Sequence, residues 1–286
     1  PSNSSAASDV YKRQEILLEP IQESLMTVPV LFLACLLVEY ISNRDVVNKV
    51  MEFGKVGPFI GAILGSIPQC GFSVIAARLY SMRYLTMGTL LSIFIATSDE
   101  ALAILVVHPD LWEMLVVLIV LKIVLGTVTG YVVDRLNHRS HDDYEYLQVE
   151  PCDCGCQNGI WLPALRHTLN IFIFILLTNI VFTLIIAGIG EETVTNLLKT
   201  NWIFQPIIAG VIGFIPNCAG SVILTQLYVS GGLSFGALLT GLTTSAGVGT
   251  LALIKYNENK KDTFKILFIS YVIALVVGYI ASLVML

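Results

Sequence analysis

Long apolar runs separated by short polar clusters dominate the chain. Six runs are long enough to cross about 30 Å of hydrocarbon, roughly 20 residues each as helix. They fall at 21–41, 84–107, 111–135, 164–189, 233–255 and 262–286 and predict six full spans. Two further runs, 56–81 and 204–229, carry Pro68 and Pro216 in their middles. A proline inside a helix removes a hydrogen bond and clashes with the preceding turn. In lipid such a break survives only where protein or a watery cavity satisfies the freed backbone.

The two broken runs match each other. Residues 58–91 (PFIGAILGSIPQCGFSVIAARLYSMRYLTMGTLL) align without a gap on 206–239 (PIIAGVIGFIPNCAGSVILTQLYVSGGLSFGALL), at an offset of 148. Fifteen of the 34 positions are identical. They include Pro68/Pro216, Cys70/Cys218, Ser73/Ser221 and Tyr80/Tyr228, a mixture that shared apolar composition does not explain. The register persists to Gly130-Tyr131 against Gly278-Tyr279, so about half the chain is duplicated.

The positive-inside rule orients the broken runs. If each turns back at its proline, one side carries twelve basic residues: Arg44, Lys49, Lys55, Arg78, Arg83, Arg135, Arg139, Arg166, Lys255, Lys260, Lys261 and Lys265. The other side then carries Lys199, with Lys12 and Arg13 of the N-terminal segment. If each broken run crosses, the same residues divide seven to eight and no bias is left. Re-entrant hairpins are therefore expected. Val56 to Ile67 is twelve residues, about 18 Å of helix, enough to reach mid-bilayer. Three crossings and one hairpin per repeat make the repeats inverted, a general design of secondary transporters. The expected fold is an all-α polytopic membrane protein of two inverted repeats. Its tips, Pro68-Gln69-Cys70 and Pro216-Asn217-Cys218, approach one another near the midplane.

Composition narrows the class. Of 286 residues, 55% are hydrophobic and 13% charged, too few charges to cover a water-soluble surface of this size. The net charge of −5 offers no basic footprint for nucleic acid. Six cysteines are too sparse for a disulfide scaffold. Residues 1–14 are polar and without periodicity, and read as a non-native or disordered leader. Repeat 1 then spans 15–135, a cytoplasmic loop 136–162, and repeat 2 163–286.

GSIPQCGFS, GFIPNCAGS, LSIFIATSDEAL and RHTLNIFIFIL resemble the ten-helix heavy-metal exporter family, over about residues 16–286. That family is named by analogy with arsenic-efflux permeases, and some members are called manganese transporters. The resemblance implies metal or metalloid export and leaves the cargo open.

Several residues carry chemistry suited to that role. Cys70 and Cys218 stand two residues after the prolines. Thiolates bind soft ions, although a small cysteine also lets a turn pack tightly. Gln69 and Asn217 are equivalent oxygen donors, and Ser73 and Ser221 follow on the same segments. Thr97, Ser98, Asp99 and Glu100 lie inside the 84–107 run, where an acid is costly and usually functional. Carboxylates suit Mn²⁺ or a coupling proton, and local unwinding at Thr97-Ser98 is expected. Repeat 2 has TTSAGVGT there, with Gly247 in place of Asp99. Lys122 lies mid-run, and its counterpart is Ser270. Acids and lysine are thus absent together from repeat 2, which suggests that Lys122 pairs with Asp99 or Glu100, as a structural ion pair or as a proton-linked switch. In the loop, Cys152, Cys154 and Cys156, with His138 and His141 upstream, form a candidate metal-capture site.

The leading expectation is a secondary-active exporter of a heavy-metal or metalloid ion in a bacterial or archaeal cell membrane. Its partners are the lipid bilayer, the transported ion and a coupling proton; a homo-oligomer is compatible with it, and nucleic acid is not. No phosphate-binding loop and no nucleophile–base pair is visible, so neither ATP hydrolysis nor an enzyme is expected, and no resident cofactor. The alternatives are a manganese transporter using the intramembrane carboxylates and a membrane metal sensor that moves nothing.

Overall fold

The computed structural model describes residues 56–67, 70–97, 99–136, 161–189, 203–215 and 218–284. It also describes six helical residues of the first apolar run, Leu25, Val28, Pro29, Phe32, Leu33 and Leu36. Among the described residues, regular structure is helical throughout. The elements are α1 (Gly57–Gly65), α2 (Cys70–Ser81), α3 (Met87–Ala96), α4 (Asp99–Val106), a 3-10 turn (Pro109–Leu111) and α5 (Trp112–Leu136). They continue as α6 (Trp161–Ile189), α7 (Gln205–Gly213), α8 (Cys218–Val229), α9 (Phe235–Thr244), α10 (Val248–Tyr256) and α11 (Lys260–Val284).

The sequence register recurs in the helix bounds. α1, α2, α3 and α5 reappear as α7, α8, α9 and α11 at an offset of 148 at both ends. Local chemistry repeats too. Pro58 and Pro206 sit in the first turns of α1 and α7, where a missing N–H costs nothing. Thr86 caps α3 by accepting from the Thr89 N–H, and Ser234 caps α9 by accepting from the Ala237 N–H.

Close approach fixes helix direction. Along α1, Gly57 lies against Thr89 and Gly65 against the Ile93 backbone, so α1 and α3 run parallel. A Cβ on Gly65 would stand 2.5 Å from the Ile93 carbonyl oxygen, which leaves room for glycine alone. In repeat 2, Gln205 Oε1 accepts from the Ser234 N–H, and Gly213 lies against Gly241, giving α7 and α9 the same parallel run. α5 runs back along α3, with Gly126 at Ser92 and Gly130 at Gly88, and α11 runs back along α9.

Helices α3 and α9 are buried at every residue and pack on each other at the centre. α5 and α11 flank them and turn apolar stripes outward. Val116, Val120, Val124, Val128 and Val132 are exposed on α5, and Phe264, Phe268, Val272, Val276 and Ile280 at the equivalent places on α11. Four-residue spacing puts each stripe on one helix face. An exposed face this apolar belongs in lipid. Four stretches have the length and hydropathy of membrane spans: Met87–Val106, Pro109–Leu136, Phe235–Tyr256 and Lys260–Val284.

Two of the membrane-length stretches are interrupted as helices. Helix stops at Thr97, whose backbone is extended (φ −62°, ψ 132°), and restarts at Asp99. In repeat 2 it stops at Ser245 and restarts at Val248, after Gly247 at φ 51°, ψ −135°. The first break is the unwinding expected from Thr97-Ser98. The second had no proline to announce it: Gly247 takes a backbone conformation that side-chain-bearing residues rarely adopt. The first apolar run, 21–41, and the loop 136–162 lie largely outside the described residues.

Candidate functional site

Two apolar cores each draw on both repeats. In one, Val74, Ala77 and Tyr80 of α2 pack with Val248, Ala252 and Leu253 of repeat 2. In the other, Leu224 and Leu227 of α8 pack with Ala101 and Leu105 of repeat 1. So α2 lies against α10, and α8 against α4. Each segment that follows a helix-breaking proline therefore packs beside the segment that follows the other repeat's break.

The contact between α2 and α10 is close. A Cβ on Gly249 would stand 2.5 Å from the Ser73 Cβ. Further along, the Tyr80 hydroxyl donates to the Asp262 carboxylate, in the first turn of α11. α2 and α10 thus run parallel, each starting at a chain break. Ser73 and Ser221 are both buried, and they hold equivalent places on α2 and α8.

Among the described residues Lys122 is the largest fully buried side chain, 1% exposed, on the face of α5 turned to α3 and α9. Its ammonium donates to the Thr97 carbonyl and, at 2.8 Å, to the Leu242 carbonyl. The break in α9 explains the second acceptor. A continuous helix would give the Leu242 carbonyl the Ala246 N–H, but that N–H turns to the Thr244 carbonyl, at 3.1 Å. Thr97 is buried, and its hydroxyl donates back to the Ile93 carbonyl at 2.8 Å, a bond that eases termination of α3.

The other sequence candidates are placed as follows. Cys70 and Cys218 are the first residues of α2 and α8, Asp99 and Glu100 the first two of α4. An acid in a first turn meets the positive end of the helix dipole. The side chains of these four, and all of Pro68, Gln69, Ser98, Pro216 and Asn217, lie outside the described residues. The same holds for His138, His141, Cys152, Cys154 and Cys156. Tip-to-tip approach, the pairing of Lys122 with an acid, and the loop site rest on those residues. Among the described residues no three His, Cys, Asp or Glu side chains gather into a metal site.

The chain matches the sequence profile of a family described as "Putative, 10TM heavy-metal exporter" in two segments, residues 12–159 and 160–285. It belongs to that family. No curated protein and no solved structure matched. The boundary between the matched segments falls between the two sequence repeats.

For a heavy-metal exporter family member, the sequence reading missed three features. The Leu242 carbonyl is one, because every residue carries a carbonyl and only a break releases it. Asp262 is another; nothing local marks it as the partner of a tyrosine 182 residues away. Asp134 is the third. One of its oxygens accepts from the Thr86 hydroxyl and the other from the Gly88 N–H, both at 2.7 Å, securing the start of α3. A charge one turn from the end of an apolar run was its only signal.

Proposed function

We propose that the chain is a secondary-active transporter that exports a heavy-metal or metalloid ion by alternating access between two inverted repeats. Membership in the exporter family and the four membrane-length apolar helices support a multi-pass membrane transporter of metal ions. The observation that carries the mechanism is the packing of α2 against α10 and of α8 against α4 across the repeat boundary. It supports a reading in which each segment that follows a helix break in one repeat works against its counterpart from the other repeat.

Parallel α1 and α3 support re-entry: α2 must carry the chain back before α3 can start beside Gly57. Helices of 9 and 12 residues span only about 13 and 18 Å, too short to cross singly. Parallel α2 and α10 support inversion, because α2 runs opposite to α3 while α10 continues the path of α9. Arg78, Arg83, Lys255, Lys260, Lys261 and Lys265 then share one face, which the positive-inside rule makes cytoplasmic in a cell membrane.

In this reading cargo from the cytoplasm is collected by Cys152, Cys154, Cys156, His138 and His141. It is bound among Cys70, Cys218, Gln69, Asn217 and the carbonyls released at the hairpin tips. Thiols favour a soft ion, and half-helix ends favour charged cargo at mid-depth. Asp99 and Glu100 carry a proton inward as cargo leaves. Uptake into everted vesicles tests this. The Cys70→Ser, Cys218→Ser double variant is expected to lose metal uptake, and Asp99→Asn to lose its pH dependence. Equal uptake by the double variant would remove the thiols from the site. Competition by Mn²⁺ rather than arsenite would assign the site to carboxylates and carbonyls.

A further inference from the structure

Both breaks meet the Lys122 ammonium. α3 and α9 lie side by side at the centre, and each stops where its C-terminal carbonyls lose their helical donors. A helix C-terminus carries partial negative charge, and carbonyls at half-helix ends are a recurring seat for small cations in transporters. The Lys122 ammonium takes one carbonyl from each repeat, that of Thr97 and that of Leu242. It reaches them from α5, a helix of repeat 1, and the equivalent residue on α11 is the buried Ser270. A duplicated chain therefore supplies this positive charge once, at the contact between its halves.

We infer that the Thr97 and Leu242 carbonyls form a cation site shared by the two repeats, and that Lys122 is its tethered occupant. The ligand class is a small monovalent cation, sodium or a primary ammonium, to which the Thr97 and Leu242 carbonyls contribute backbone oxygen. Tethering makes the wild-type junction independent of dissolved cations. Removing the side chain opens the site to them. The site is a junction between halves and not a cargo site. It adds to the transport reading a component that holds α3 and α9 together while the rest of the molecule moves.

The test is thermal melting of purified full-length protein in detergent, with sodium, methylammonium or choline chloride at equal ionic strength. Lys122→Ala is expected to melt below wild type and to regain melting temperature with rising methylammonium or sodium, with no regain in choline. Wild type is expected to show no such preference. Lys122→Ser, which copies the Ser270 side chain, is the second variant and is expected to respond in the same way. Lys122→Met fills the space without charge and is expected to ignore all three salts. A Lys122→Ala or Lys122→Ser protein that responds equally to choline overturns the inference. So does failure of both to fold in every salt. Melting is read without transport, so a wild type that moves no metal would sink the exporter reading and leave this site standing. Intact wild-type transport with unresponsive variants would do the reverse.

Discussion

Arg83 and Gly231 occupy the same turn, 148 residues apart, and both have left-handed backbones, at φ 65° and 74°. The turn closes identically in both repeats: the Tyr84 N–H reaches the Leu79 carbonyl and the Gly232 N–H the Leu227 carbonyl. A side chain is strained there by roughly 1–2 kcal/mol, so Arg83→Gly is expected to raise the melting temperature, the relief exceeding the unfolded-chain entropy that glycine adds. Repeat 1 keeps arginine, which adds a charge to the basic face. Tyr80 and Tyr228 are also equivalent, yet Asp262 lies opposite the first, and its counterpart in repeat 1 is Met114. Tyr80→Phe is expected to cost about 1.5–3 kcal/mol, as for a hydrogen bond to a charged group, with Tyr228→Phe close to neutral in the same assay. Of the site, side-chain types at repeated positions were legible in the sequence. Their partners were not. Lys122 was evident as a costly buried charge, and its expected acid partners, Asp99 and Glu100, have side chains outside the described residues. Two of its acceptors are backbone carbonyls, which sequence assigns to every residue alike.

At the scale of elements, proline made the helix breaks between α1 and α2 and between α7 and α8 readable. A Pro-x-Cys in the middle of an apolar run cannot continue as helix, and its repetition turned an oddity into a pattern. The break before α10 was unreadable because hydropathy does not register backbone dihedral angles. Glycine is common in membrane helices, and Gly247 stands among residues that would otherwise continue the span. Gly247→Ala is therefore expected to destabilise the protein by about 1–3 kcal/mol, the cost of holding a residue in a sparsely populated backbone region. Gly231→Ala, in a turn where a Cβ meets no neighbour, is expected to cost less. A chemical-melting comparison of the two variants checks the order. The packing of α2 on α10 was likewise invisible: Ser73 and Gly249 are small residues far apart in sequence, and their contact follows from the topology.

Across the whole molecule, a central pair of fully buried helices is enclosed by helices that expose valine and phenylalanine to lipid. Two apolar cores lie on either side of a layer where Lys122, Thr97, Ser73 and Ser221 are buried. The duplication and its proline breaks were legible in the sequence, since duplication fixes the equivalence of elements before any contact is known; the layering was not, because it follows from contacts between the halves. The central claim is that the halves are inverted and that their hairpins turn back. Single cysteines placed at Arg83, Glu258, Asp110 and Gly231, with the six native cysteines changed to serine, test it through labelling by a membrane-impermeant thiol reagent in intact cells and everted vesicles. Positions 83 and 258 are expected to label only in everted vesicles, and positions 110 and 231 only in intact cells. Labelling of 83 and 231 from the same face would contradict the account.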